Sequence, residues 1–210
     1  GSGALGRLLR YGGVSRLIRK RMVAARAGLL VSMLLTVAGP VAAADIRALL
    51  QKSPYAERKL SYQGTKLLTR VSGGKTHTTT AEVYHQAPNR TLMVGVSGSL
   101  AGAQILQLGR EYYRKPPDGE YQRTLMPEFS QQTELLLRNY RLIQQRTEPI
   151  AQRRCVMVLL QPRHRGNPSK RIWLDVRNAM PLQSQIWSWK GELTEQSSFI
   201  NIQYHVPLST

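Results

Sequence analysis

The chain has 210 residues, 30 Lys and Arg against 12 Asp and Glu, a formal net charge of +18 and one cysteine. A single cysteine excludes an internal disulfide, so a hydrophobic core alone must hold the fold. The charge implies anionic partners without choosing among nucleic acid, anionic lipid and acidic polysaccharide.

In chain order, the first 44 residues carry seven basic side chains (Arg7, Arg10, Arg16, Arg19, Lys20, Arg21, Arg26) and no acidic one. An apolar run from Ala27 to Ala38 follows, Gly39-Pro40 breaks it, and Val41-Ala42-Ala43-Ala44 sets small residues before Asp45. Basic region, short apolar region and small-residue site, in that order, predict a secretory signal peptide cleaved near Ala44. The apolar run falls well short of the roughly 20 residues that span a bilayer, which makes an uncleaved anchor the lesser alternative. Met22 opens a compact signal of ordinary length, so translation is expected to start there, with residues 1–21 surplus. No cysteine adjoins the cleavage site, which argues against a lipidated N-terminus. Without residues 1–44, 23 basic residues face 12 acidic ones, net +11. Export makes nucleic acid the least available of the anionic partners. Residues 45–210 are long enough for one domain and short for two.

Two segments read as helices. Asp45 to Leu60 opens on a capping residue and spaces Ile46, Leu49 and Leu50 helically, with Pro54 predicting a break into two short helices. Glu128 to Asn139 follows Pro127 and carries Leu135, Leu136 and Leu137. Nearly everything else reads as strand: 62–71 and 76–85 around a Gly-Gly turn, 90–96, 104–108, 111–114, 140–146, 153–161, 170–177, 182–190 and 192–205. Alternation puts Ile172, Leu174 and Val176 opposite Arg171, Trp173, Asp175 and Arg177. It likewise puts Ile200, Ile202, Tyr204 and Val206 opposite Phe199, Asn201, Gln203 and His205. One apolar and one polar face per strand predicts a half-buried antiparallel sheet. The fold class is mainly β (α+β): a strongly curved sheet, or half-open β-barrel, of about ten strands in a meander closed by two helical segments. On the 182–190 strand, Ser184 and Ser188 share the face of Leu182 and Ile186. Small side chains beside apolar ones leave room for a ligand, or mark a solvated edge.

Motifs for catalysis are missing. The four histidines (His77, His85, His164, His205) stand apart, without HExxH or CxxC spacing, so no metal site and no cofactor are expected. There is no GxSxG or phosphate-binding glycine loop, and Glu134, Asp175 and Glu195 lie on separate elements; no enzyme is expected. Ser97-Gly98-Ser99 with Gly102 reads as an ordinary loop. Cys155, inside Cys155-Val-Met-Val-Leu-Leu160, reads as a buried apolar side chain rather than a reactive thiol. Arg163-His164-Arg165 with Lys170, Arg171 and Trp173 is the nearest thing to a nucleic-acid stripe, and a basic turn entering a strand is the plainer reading.

A family resemblance rests on Arg138-Asn139-Tyr140, Val156-Met-Val-Leu-Leu-Gln-Pro162, Arg171-Ile-Trp-Leu-Asp175, Met180-Pro-Leu-Gln-Ser184, Gly191-Glu-Leu193 and Ser198-Phe-Ile-Asn-Ile202. Upstream, Leu60-Ser-Tyr-Gln-Gly-Thr65 adds to it. In this order they resemble the N-terminal domain of the MucB/RseB periplasmic regulators of the envelope-stress sigma factor. The resemblance implies a fold like the lipoprotein carriers LolA and LolB, with a concave apolar face able to accept an acyl chain. It also implies a role in sensing envelope lipids or mislocalised lipoproteins. In that family a second, C-terminal domain contacts the anti-sigma factor. The sequence ends at Thr210, so that domain is expected to be absent, by truncation or because the chain is a stand-alone carrier, and anti-sigma binding is not carried over.

The expected activity is thus a periplasmic, non-enzymatic domain binding a lipid or lipoprotein acyl chain, with basic residues near the mouth for an anionic headgroup. Leu92, Val94, Ile172, Leu174, Ile186, Ile200 and Ile202 are the expected concave-face residues. They stand against the alternative that the same residues merely pack on the helices. The rival function is a protein-interaction domain with a filled core, binding a membrane-tethered partner through a sheet edge or basic face.

Overall fold

A computed structural model describes residues 46–124 and 133–205. The expected signal peptide, the first part of the second helix and Val206 lie outside them. In chain order come α1 (Ile46–Lys59), β1 (Tyr62–Ser72), β2 (Lys75–Gln86), β3 (Arg90–Gly98), β4 (Gln104–Leu108), β5 (Glu111–Lys115), β6 (Gln122–Thr124), α2 (Thr133–Asn139), β7 (Tyr140–Ile150), β8 (Arg153–Pro162), β9 (Ser169–Asp175), β10 (Pro181–Trp187) and β11 (Leu193–Tyr204). No helix among the described residues is long and apolar enough to cross a membrane.

The eleven strands form one antiparallel sheet in the order β6-β5-β4-β3-β2-β1-β11-β10-β9-β8-β7. Two meanders, β1 to β6 and β7 to β11, meet where β1 pairs β11, Tyr62 opposite Tyr204 and Arg70 opposite Glu195. Among the described residues β6 and β7 have no neighbour on their outer sides, and the sheet is open there, as a half-open barrel requires. The ten expected strands are all present. The eleventh, β6, is three residues long, too short to show a period.

Apolar burial comes in two clusters. Val156, Val158, Leu160, Ile172 and Leu174 pack with Leu50 of α1 and Leu136 of α2. Cys155, Met157 and Trp173, the alternate residues of β8 and β9, pack with Tyr62, Phe199, Ile202 and Leu182 among others. Both faces of β8 and β9 are therefore covered, which corrects the expected polar face of β9: Trp173 and Asp175 are buried. Each polar group is satisfied. The Trp173 indole donates to Glu148. Asp175 accepts from Arg153 and from the Arg177 backbone, and the Arg153 guanidinium also lies 4.4 Å from the Tyr204 ring centroid. A buried carboxylate is tolerated only with such partners. In β1, β2 and β11 the half-polar pattern does hold, with Gln63 bonded to Gln203 and Thr65 to Asn201 on the outward side.

Three local expectations are corrected. Pro54 does not split the first helix, since α1 runs through it. Pro54 forfeits its own N–H bond, but Leu50 and Ala56, on either side, are buried and hold the helix across the gap. Strand 182–190 ends early at Trp187, because the Ser188 hydroxyl accepts from the backbone N–H groups of Lys190 and Glu192 and starts a turn. The alternation of β11 is reset by a bulge: Thr65 faces Asn201 while Lys66 faces Phe199, leaving Ile200 without a partner and 55% exposed. One extra residue inverts the faces beyond it, so Phe199, Ile202 and Tyr204 join one cluster.

The β7–β8 turn holds Ala151 at φ 48° and Gln152 at φ 62°, a conformation that costs non-glycine residues about 1–2 kcal/mol each. Gln152→Gly is expected to stabilise the domain by about 1 kcal/mol, raising its melting temperature by roughly 2–4 °C in a thermal scan.

Candidate ligand-binding cleft

The β3–β4 connection folds back over the sheet because two glycines let it. At Gly95 a Cβ would sit 1.9 Å from the Leu100 carbonyl oxygen, and at Gly98, with φ +77°, 1.9 Å from that of Thr78. The backbone of Gly95 donates to Ala103 and accepts from Gly102. Leu100 is thereby laid over β3, and Ser99 reaches the buried hydroxyl of Thr79 at 3.1 Å. This loop is one wall of a cleft of about 470 Å3. Ser184 and Ile186 of β10 form the other wall, and Leu68 and Ser197 lie between them on β1 and β11. The volume is within the range of small-ligand sites.

The floor follows from register. Ser184 pairs with Ser197 and Leu68 with Ser197 from the other side, so three small or apolar side chains lie abreast on one face. Ser184 also pairs with Ile172, which puts the cleft on the helix-bearing face, beside the packed core. Arg70, His77 and Glu195 stand at the outer end, with Arg70 bonded to Glu195 at 3.0 Å. Both are largely exposed, so the pair contributes little to stability. Further in, the Lys66 ammonium lies 4.4 Å from the Phe199 ring centroid. Burial pushes the Lys66 pKa down, and Glu57 of α1 opposes that shift; burial pushes Glu57 up, with Lys66 opposing in turn.

Of the expected concave-face residues, only Ile186 lines the cleft. Ile172 and Leu174 are on the same side of the sheet but packed under α1 and α2. Ile202 belongs to the other cluster. Leu92 and Val94 pair with Tyr84 and Glu82, on the opposite side from Met93, which packs against the core. Ile200 is the exposed bulge residue. Sequence reasoning did single out Ser184 beside Ile186. It read 97–102 as an ordinary loop and passed over Leu68, Thr79 and Ser197. Ser184 beside Ile186 was the available signal; that Ser197 stands next to it is set by register.

The remaining chemistry is structural. His85 is buried, its Nδ1 2.8 Å from the Thr91 hydroxyl and its ring stacked on Tyr62 at 5.0 Å; burial lowers its pKa. His77 and His164 are exposed. Among the described residues no cluster of three or more His, Cys, Asp or Glu could hold a metal.

A curved, open antiparallel sheet with helices on one face and a cleft at one end defines a scaffold able to hold a ligand. Residues 45–210 match the family model of the MucB/RseB N-terminal domain, and the chain belongs to that family. No curated protein matches the chain. Among solved structures it is similar to MucB in a complex described as Pseudomonas aeruginosa MucA/MucB, at 21% identity over 77% of this chain and 58% of that one, TM-score 0.66. It is also similar to MucB in complex with MucA(peri), at 21% identity over 79% and 57%, TM-score 0.59. A third match is MucB without a stated partner, at 20% identity over 80% and 62%, TM-score 0.59. The chain thus spans about three fifths of the length of those MucB chains, and at these identities the likeness establishes the fold.

Two outcomes follow from this geometry. Gly95→Ala is expected to push Leu100 off the sheet and cost about 1–3 kcal/mol in denaturant unfolding. Cys155 is fully buried and burial pushes its thiol up to about 11; the native chain should resist Ellman's reagent at mildly alkaline pH and react once unfolded.

Proposed function

We propose that the chain is a periplasmic, non-enzymatic binding domain that takes a lipid or lipoprotein acyl chain into the cleft, as part of an envelope-stress regulator or carrier. The observation that supports this is the unfilled volume between Leu100 and Ile186, floored by Leu68 and two serines, on the helix-bearing face of the sheet. An open cleft with a largely apolar lining holds water that an apolar ligand would release on binding. An acyl chain suits it: each buried methylene contributes about 0.8 kcal/mol, so half a dozen offset part of the cost of association. Arg70 and His77 at the outer end would meet an anionic headgroup. The leader of residues 1–44, basic then apolar then small, supports an exported location.

A second reading is favoured by a separate finding. The MucB chains similar to this one are described in complexes with MucA, so a protein partner of that kind is also proposed for the whole protein. The two readings are separable. Native mass spectrometry of protein purified from a periplasm without detergent should show a bound mass that extracts as lipid, and the purified chain should take up a fluorescent fatty acid one to one. Ser184→Phe, which fills the cleft from β10, should abolish that uptake while leaving the melting temperature nearly unchanged. A clean apo mass together with no uptake would overturn the acyl-chain reading and leave the protein-interaction one.

A further inference from the structure

The antiparallel register gathers five strand connections at one end of the sheet, and three of them belong to strands adjacent in the order β2-β1-β11-β10-β9-β8. Ser72 pairs with Lys75 at the β1–β2 turn, and Arg70 beside it pairs with Glu195, which faces Ile186 just before the β10–β11 turn. Trp187 pairs with Ser169, which places the β8–β9 loop at the same end. The cleft opens here too, since Arg70, His77, Ile186 and Glu195 are its outer lining.

These three connections are strongly basic. Lys75, Arg163, Arg165, Lys170, Arg171 and Lys190 come from the three connections and their flanks, against Glu192 and the already paired Glu195. Trp189, at the tip of the β10–β11 turn, is 68% exposed, more than any other large apolar side chain among the described residues. The other two tryptophans are held: Trp173 donates to Glu148, and Trp187 donates to Gln185 with the Arg171 guanidinium 4.5 Å from its ring centroid. Among the described residues, the polar group recorded beside Trp189 is the Lys190 ammonium, 5.4 Å from its ring centroid. The turn is closed by the Ser188 hydroxyl, with Gly191 at φ +82°. An indole held out into water serves no core.

We propose that this end of the molecule docks on an anionic lipid surface, with Trp189 seated among the headgroups and the surrounding Lys and Arg held against the lipid charges. Charge complementarity and placement both select this occupant. Indoles favour the membrane–water interface, where an apolar ring and a polar N–H are each satisfied. Each basic residue close to an anionic leaflet raises partitioning roughly five-fold. The features lie on the tips of connections, which meet a plane together, rather than in a groove shaped for a polypeptide. Docking this way would also hold the cleft mouth at the lipid surface. The inference concerns the outside of the molecule and stands apart from what the cleft binds.

The test is tryptophan fluorescence of the full chain with vesicles of phosphatidylcholine containing phosphatidylglycerol, with and without bromine on the upper acyl carbons. Residues 1–44 are basic and common to every variant, so differences between variants carry the result. The wild-type chain should be quenched by the brominated anionic vesicles and much less by neutral ones, and Trp189→Phe should lose the quenching. Arg165→Gln with Lys190→Gln should weaken vesicle binding roughly 25-fold, and added salt should weaken it further. All three residues are exposed, so the variants should keep the wild-type melting temperature and fatty-acid uptake. Equal quenching in Trp189→Phe, or equal binding of neutral and anionic vesicles, would overturn the proposal. So would indifference to vesicles combined with protection of Trp189 from iodide by polyglutamate, which would make this end a site for an acidic protein segment.

Discussion

The pairing of β1 with β11 is the contact on which the remaining architecture depends. Each meander alone is a run of neighbouring hairpins with an uncovered edge. Joined from Tyr62–Tyr204 to Arg70–Glu195, they become a single sheet with its ends far apart in the strand order and a continuous helix-bearing face. The seam also carries Phe199 and Ile202 into contact with Tyr62, which ties burial to pairing. Its bulge at Ile200 lets one strand supply both the cleft floor through Ser197 and the core through Ile202.

From that seam the cleft follows with few further requirements. Large side chains fill the helix-bearing face at β8 and β9, while serines and Leu68 stand across β10, β11 and β1 at the turn end. The Gly95–Leu100 crossing then supplies a wall where the sheet would otherwise lie open. The helix contributes at the other end, where Leu50 of α1 packs on the apolar residues of β8 and β9. Packing is therefore tight at one end of the face and thin at the other.

How much of this was legible in the sequence depended on the range of the interaction. Strand positions were readable because period-2 alternation and Gly or Pro turns are local signals, and the curved-sheet class followed from their number. Faces were readable only where no bulge intervened: Ile172 and Leu174 fell on the helix side as alternation implies, whereas Ile200 did not, because a bulge is set by the partner strand. The burial of Trp173 and Asp175 depended on Glu148 and Arg153, more than 20 positions away. The cleft was half visible. Ser184 next to Ile186 flagged missing volume, but that Ser197 would stand beside it, and that the 97–102 loop would fold in, are facts of register and of close backbone approach.

The seam sets an order of events as well as an architecture. Gln63 and Gln203 are 140 positions apart, so the strand that begins the sheet must wait for almost the last residues of the fold before it gains its second neighbour. Such distant closure makes for slow folding, since chain entropy is lost before the contacts reward it. Until then each meander exposes an unpaired edge at β1 or β11, the segment most open to pairing with another chain. A protein of this topology made from one end to the other passes through a half-finished intermediate, and its need for protection is greatest just before β11 arrives.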